Sequence, residues 1–210
     1  MKYSTNLLLK EPEWTDATDI LENLIYNWDI LDAAVHVLNI KGIWKERFVD
    51  VAAASATAVH AAITGNSATQ NITTSITNPD DARNVTITIT NNAAPSGNVV
   101  ITGLVRGEST TETLVIVAGT TVKGNKAFDT VTNIQIPAGV TAADTVSVGI
   151  GDKFGLLHEI DAIVQVYKIT VNAVEVTTTY AALVNATYGT IDFSTVGVYQ
   201  DMCVWYYQLS

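Results

Sequence analysis

The side chains that could do chemistry are few and far apart. The chain has three histidines, His36, His60 and His158. None has another His or Cys at the spacing that puts a pair of metal ligands on one element. His158 and Glu159 are adjacent, so on a strand they would face opposite ways. Each histidine therefore reads as structural. A Ser/His/Asp triad can be assembled from distant positions, but the chain contains no Gly-x-Ser-x-Gly elbow. Cys203 is the single cysteine, which rules out an intrachain disulfide or a thiolate cluster. Its setting, Met202-Cys203-Val204-Trp205, predicts a buried, unreactive thiol.

The acids Asp80, Asp81, Asp144, Asp152, Glu159 and Asp161 fall in expected loops, and calcium takes oxygen ligands from such loops. The run Asn78-Pro79-Asp80-Asp81-Ala82-Arg83-Asn84 lacks the spaced acids of a calcium loop. Gly149-Ile150-Gly151-Asp152-Lys153-Phe154-Gly155 has the look of a phosphate loop without its Gly-Lys-Ser/Thr, and no helical pattern follows it. The segment predicts a sharp structural turn. Tyr167, Tyr180, Tyr188, Tyr199, Trp205, Tyr206 and Tyr207 could stack on sugars, and Tyr188 and Tyr199 are the candidate glycan contacts. The competing reading is core or interface packing, the commoner use of aromatics in strands. The expectation is a chain with no catalytic residue, no metal and no cofactor.

Composition narrows the partners. Of 210 residues 48% are hydrophobic and 15% charged, so Thr, Ser, Asn and Gly must cover much of the surface. The net charge is −10 and the 11 basic residues form no run. Neutralising phosphates needs clustered Lys and Arg, which argues against nucleic acid and against an anionic membrane surface. The three leucines Leu7-Leu8-Leu9 are too few for a signal h-region, and no apolar run is long enough to span a membrane. Synthesis in a cytoplasm, without secretion by the usual signal, is expected.

Two periodicities organise the chain. After an extended start punctuated by Pro12 and Trp14, Thr15-Asp16 supplies helix-capping chemistry and a helix is predicted over Asp16–Asn39, stopped at Gly42. Its stripe Leu21, Leu24, Trp28, Leu31, Val35, Leu38 occupies a and d positions over nearly three heptads, about 26 Å of helix. The stripe reads either as a seam between identical chains or as a face lying on the chain's own β domain; Ile20, Ile25 and Ala34 widen it. Residues 43–69 are transitional: Trp44–Phe48 is amphipathic, and the Ala-rich Val51–Ala62 could be helix or strand. From Ile72 onward the period is two. Strands are predicted at Asn84–Thr90, Val99–Val105, Glu112–Val117, Thr130–Ile136, Thr145–Ile150, Ile163–Val171, Val174–Tyr180, Thr190–Phe193 and Asp201–Tyr207. Turns are predicted at Gly65-Asn66-Ser67, Arg106-Gly107-Glu108-Ser109 and Asn172-Ala173. The expected fold is mainly β, an antiparallel β-sandwich or jelly-roll-like body over residues 49–210, with an extended arm and one amphipathic helix in residues 1–48.

Several segments, in order, resemble bacteriophage virion proteins. Leu9-Lys10-Glu11-Pro12-Glu13-Trp14-Thr15-Asp16 leading to Asn27-Trp28-Asp29-Ile30-Leu31-Asp32 resembles the start of tail-fibre-like proteins. Asn78-Pro79-Asp80 with Arg83–Ile87, Ile101-Thr102-Gly103, Glu112-Thr113-Leu114, Lys126-Ala127-Phe128 and Val146–Leu156 resemble a domain of capsid-decorating proteins. The resemblance implies a non-enzymatic virion surface protein, a capsid decoration (cement) protein or a short fibre, built as a homotrimer. It implies capsid or tail and baseplate proteins as partners, through residues 1–48. The alternative from another class is a carbohydrate-binding receptor-recognition module that contacts a host surface glycan.

Overall fold

The computed structural model describes residues 2–3, 10–11, 40–90, 95–176, 180–196 and 201–209. The chain divides into two compact units, 1–43 with 207–210, and 44–206. In the first, β1 (Lys2–Tyr3) pairs antiparallel with β2 (Lys10–Glu11). The predicted helix, with its stripe Leu21, Leu24, Trp28, Leu31, Val35 and Leu38, lies outside the described residues, as does Tyr199.

The described residues are mainly strand, arranged in antiparallel sheets. In chain order the strands are β3 (Ile40–Val49), β4 (Ser55–Thr64), β5 (Gln70–Ile72), β6 (Arg83–Thr90), β7 (Asn98–Val105), β8 (Glu108–Val115), β9 (Thr121–Phe128) and β10 (Thr130–Ile136). They continue as β11 (Thr145–Gly155), β12 (Val166–Val171), β13 (Val174–Glu175), β14 (Val184–Asn185), β15 (Thr190–Asp192) and β16 (Asp201–Leu209). One sheet runs β5-β10-β7-β8. A second runs β14-β15-β11-β6-β9, with β4 also paired to β11. A third runs β13-β12-β16-β3.

Alternation explains the layering. Val85, Ile87 and Ile89 point inward from β6, and Val146, Val148 and Ile150 from β11. They meet Val99, Ile101, Ile134 and Ile136 of the β10-β7 sheet in a sandwich-like first core. A second core gathers Phe48, Phe154, Ile169, Ile191, Phe193, Met202, Val204 and Tyr206. In it Phe48, Phe154 and Phe193 form a ring cluster with centroids 5.1–6.3 Å apart, the tilted and edge-on range aromatic rings prefer. β11 supplies both cores, the first through Val146–Ile150 and the second through Phe154.

Two expectations need correction, and a third, left open, is settled. Gly42 lies within a strand, β3. Of the Ala-rich stretch, open between helix and strand, Ser55–Ala62 is strand, in β4. Most tellingly, Gly149–Gly155 is the second half of a strand rather than a turn. None of its glycines has a positive φ. They are small because neighbours press on them: a methyl at Gly149 would overlap the Ser55 carbonyl oxygen, and one at Gly151 the Asn84 amide. Turn chemistry agrees more closely with the structure. Arg106 and Gly107 have φ of 52° and 79°, which makes the β7–β8 hairpin a two-residue turn, tighter than the four residues expected. Asn172 and Ala173 (φ 50° and 62°) turn β12 into β13. The stretch Ile163–Gln165 is a 3-10 turn leading into β12.

Candidate functional site

The pairing of β6 with β11 lapses between Ile150 and Phe154. Two side chains take over there. Arg83, with none of its surface exposed, donates from Nε and Nη2 to the Gly151 carbonyl (2.9 and 2.6 Å) and from Nη1 to the Ala52 carbonyl (2.5 Å). Its guanidinium lies 4.5 Å from the Phe154 ring centroid, and it pairs at 3.2 Å with Asp80, a partly exposed acid. Asn84, also buried, accepts from the Lys153 N–H (2.9 Å) and donates to the Gly124 carbonyl (3.0 Å). A bulge that would strand backbone groups is thus satisfied by side chains.

Beside this lies a recess of about 240 Å³ whose lining includes Glu46, Phe48, Asp81, Arg106, Leu157 and Tyr188. Glu46 sits on β3 with its carboxylate turned inward. Its Oε1 accepts from the buried Tyr206 hydroxyl (2.5 Å) and from the Leu157 N–H (2.5 Å). Burial holds the Glu46 carboxyl above its ordinary range, against the opposing pull of those two donors. Burial, and then the Glu46 carboxylate, push the Tyr206 phenol far above its usual value. The Tyr206 oxygen in turn accepts from the His158 N–H (3.2 Å), and the His158 ring stacks on Trp44 with centroids 3.7 Å apart. Asp81 is also raised by burial, while its carboxylate accepts from the Ala82 N–H. Arg106, at the hairpin turn, binds Glu159 at 3.1 Å.

Through its Oε1 the Glu46 carboxylate fastens β3, β16 and the loop after β11 together. Arg106 ties the hairpin to the same loop through Glu159. Tyr188 lines the recess, half-buried, so one of the two aromatics proposed for a glycan faces a cavity.

The remaining candidates are dispersed. His158 and Glu159 lie in a loop, and they diverge: one to Trp44, the other to Arg106. The His60 ring contacts the Ala61 carbonyl oxygen (2.7 Å). His36 lies outside the described residues. Cys203 is buried, its Sγ 3.6 Å from Asp201. Asp144 is buried and accepts from the Thr141 N–H and hydroxyl, which shapes its own turn. Asp152 faces Lys123 at 3.7 Å. Among the described residues no three His, Cys, Asp or Glu side chains gather as a metal site, and no helix is long and apolar enough to cross a membrane.

Arg83, Glu46 and Arg106 received no role from the sequence, and it offered Tyr206 as a sugar-stacking aromatic rather than as a partner of Glu46. A signal for one was present: read as a strand, Trp44-Lys45-Glu46-Arg47-Phe48 puts Glu46 on the face of Phe48 and Lys45 and Arg47 on the other. Comparison with protein-family models, curated proteins and solved structures finds no match for the chain.

Proposed function

We propose that the chain is a non-enzymatic surface protein of a bacteriophage particle, a capsid decoration protein or a short fibre, that acts by adhesion as a homotrimer. Residues 1–48 supply the docking arm and the amphipathic helix, with Leu21, Leu24, Trp28, Leu31, Val35 and Leu38 as the seam between copies. The β body clamps capsid or tail neighbours or projects from them. The observation that carries this reading is the body's construction. Two cores are filled by residues 48–206, and the ionic and polar groups around the recess bind one another to lock loops onto strands. Such a body is a rigid block suited to being held in an array. The order of the virion-like segments in the sequence supports the same reading.

Light scattering tests it: the expected mass is three times 22.5 kDa. Burying a leucine contributes about 1.5–3 kcal/mol, so Leu24→Glu with Leu31→Glu should give monomers with an unchanged β spectrum. A wild-type monomer, or a trimer untouched by both changes, refutes the seam. Electron microscopy of the particle, with the protein labelled, decides between capsid and tail.

A further inference from the structure

The outward face of the β12-β16-β3 sheet carries a feature at odds with an acidic chain. Residues alternate along β16: Met202, Val204 and Tyr206 fill the second core, and Asp201, Cys203 and Trp205 take the other face. Lys168 is the register partner of Trp205 on one side, and Lys45 reaches it from β3 on the other. Their ammonium groups lie 5.3 and 4.9 Å from the Trp205 ring centroid. Arg47 stands beside them. Asp201 grips it in a two-pronged pair at 2.8 and 2.9 Å, and that pairing fixes its position. These five side chains line a groove of about 300 Å³ together with Thr170, Ala173 and Cys203. Three cations against one carboxylate are thus collected on one sheet face of a chain whose net charge is −10.

We propose that this groove binds an acidic polysaccharide, one that carries carboxylate, sulfate or phosphate on its rings. The indole offers the flat apolar surface on which the C–H face of a sugar ring stacks. Both ammonium groups lie over the indole ring; on their flexible four-carbon stems they lift off it when a sugar ring stacks there, and give charge-assisted hydrogen bonds to its anionic substituent. Two flexible lysines suit a point charge presented at varying positions. An acidic peptide could satisfy the cations but has no such flat face for the indole, and a neutral glycan would leave the lysines unused. The site shares only Arg47 with the recess at Glu46 and uses neither Tyr188 nor Tyr199, and it stands whether or not the chain assembles as a trimer.

Calorimetric titration of the full chain at low salt tests this with four probes: an oligogalacturonate, a heparin tetrasaccharide, the neutral cellotetraose, and poly-glutamate. At least one acidic sugar should bind about tenfold tighter than cellotetraose, the size expected for a charge-assisted contact. The two acidic sugars separate carboxylate from sulfate recognition. Lys45→Ala and Lys168→Ala should each weaken that binding about tenfold. Trp205→Ala should abolish it, and Trp205→Phe, which keeps an aromatic platform and the fold, should retain most of it. No binding of either acidic sugar, equal binding of cellotetraose, or indifference to both lysine changes overturns the proposal. Poly-glutamate that binds as tightly as the acidic sugars overturns it in favour of an acidic protein partner.

Discussion

Replacing Arg83 by methionine should remove a large part of the body's stability. The side chain is fully enclosed, and it donates three hydrogen bonds to two carbonyls, Gly151 and Ala52. Methionine fills much of the same volume, so little cavity is created. What is lost is the partner of the buried Gly151 carbonyl, at about 1–3 kcal/mol for a buried group left unpaired, and a cation–ring contact of about 1 kcal/mol. Ala52 is exposed and Asp80 partly exposed, so both can be rehydrated and add little. Release of the buried guanidinium from its dehydrated site offsets part of the loss. The net expectation is a destabilisation of about 2–3 kcal/mol, against a total of about 5–15 for an ordinary domain. Arg83→Lys should cost less, because one ammonium group can still serve one of the two carbonyls. Urea unfolding followed by circular dichroism measures both, with the slope against denaturant checked for constancy. Arg83→Met within about 1 kcal/mol of wild type, at unchanged slope, would refute the view that this side chain replaces the missing ladder bonds.

Glu46→Gln separates fastening from ionisation. Burial raises the native Glu46 carboxyl above its ordinary 4.5, so the folded chain holds that proton more tightly than the unfolded one, and stability falls as pH rises from 4.5 through the raised native value. The amide that replaces the carboxyl has no proton to lose, so the variant's melting temperature should lack that decline relative to wild type; parallel curves for the two proteins across that window contradict the assignment. Ala173→Gly relieves an alanine held at φ 62° and should stabilise the chain by about 1 kcal/mol in the same urea assay; a loss of stability would mean that the methyl group packs usefully in the turn.

What the sequence discloses is what is local. Val and Ile alternate with Thr over 84–90, and β6 follows them within a residue. Pro137 closes the strand Thr130–Ile136 where a proline should. Asn172, which tolerates the left-handed region, marks its hairpin. The glycines at 149, 151 and 155 mislead because two local rules compete. Glycine usually signals a turn, yet here it signals that Ser55, Asn84 and Ala127, distant in sequence, come close. The Arg83 site is hidden for the same reason: the gap it fills exists only once β11 lies beside β6. Lys45, Lys168 and Trp205 come from three separate stretches, and only the strand order places them in one row.

β11 carries a consequence of a different kind. It enters the first core through Val146 and leaves through Phe154 in the second, with no break in the strand. Two cores threaded on one strand cannot melt independently, since loosening either would pull a shared backbone out of register with the other. The body should therefore give one calorimetric peak, and it should yield to force or protease as a single object. It also follows that neither half can be excised or grafted onto another scaffold alone: a transplant must carry the whole of residues 44–206 or forfeit both cores.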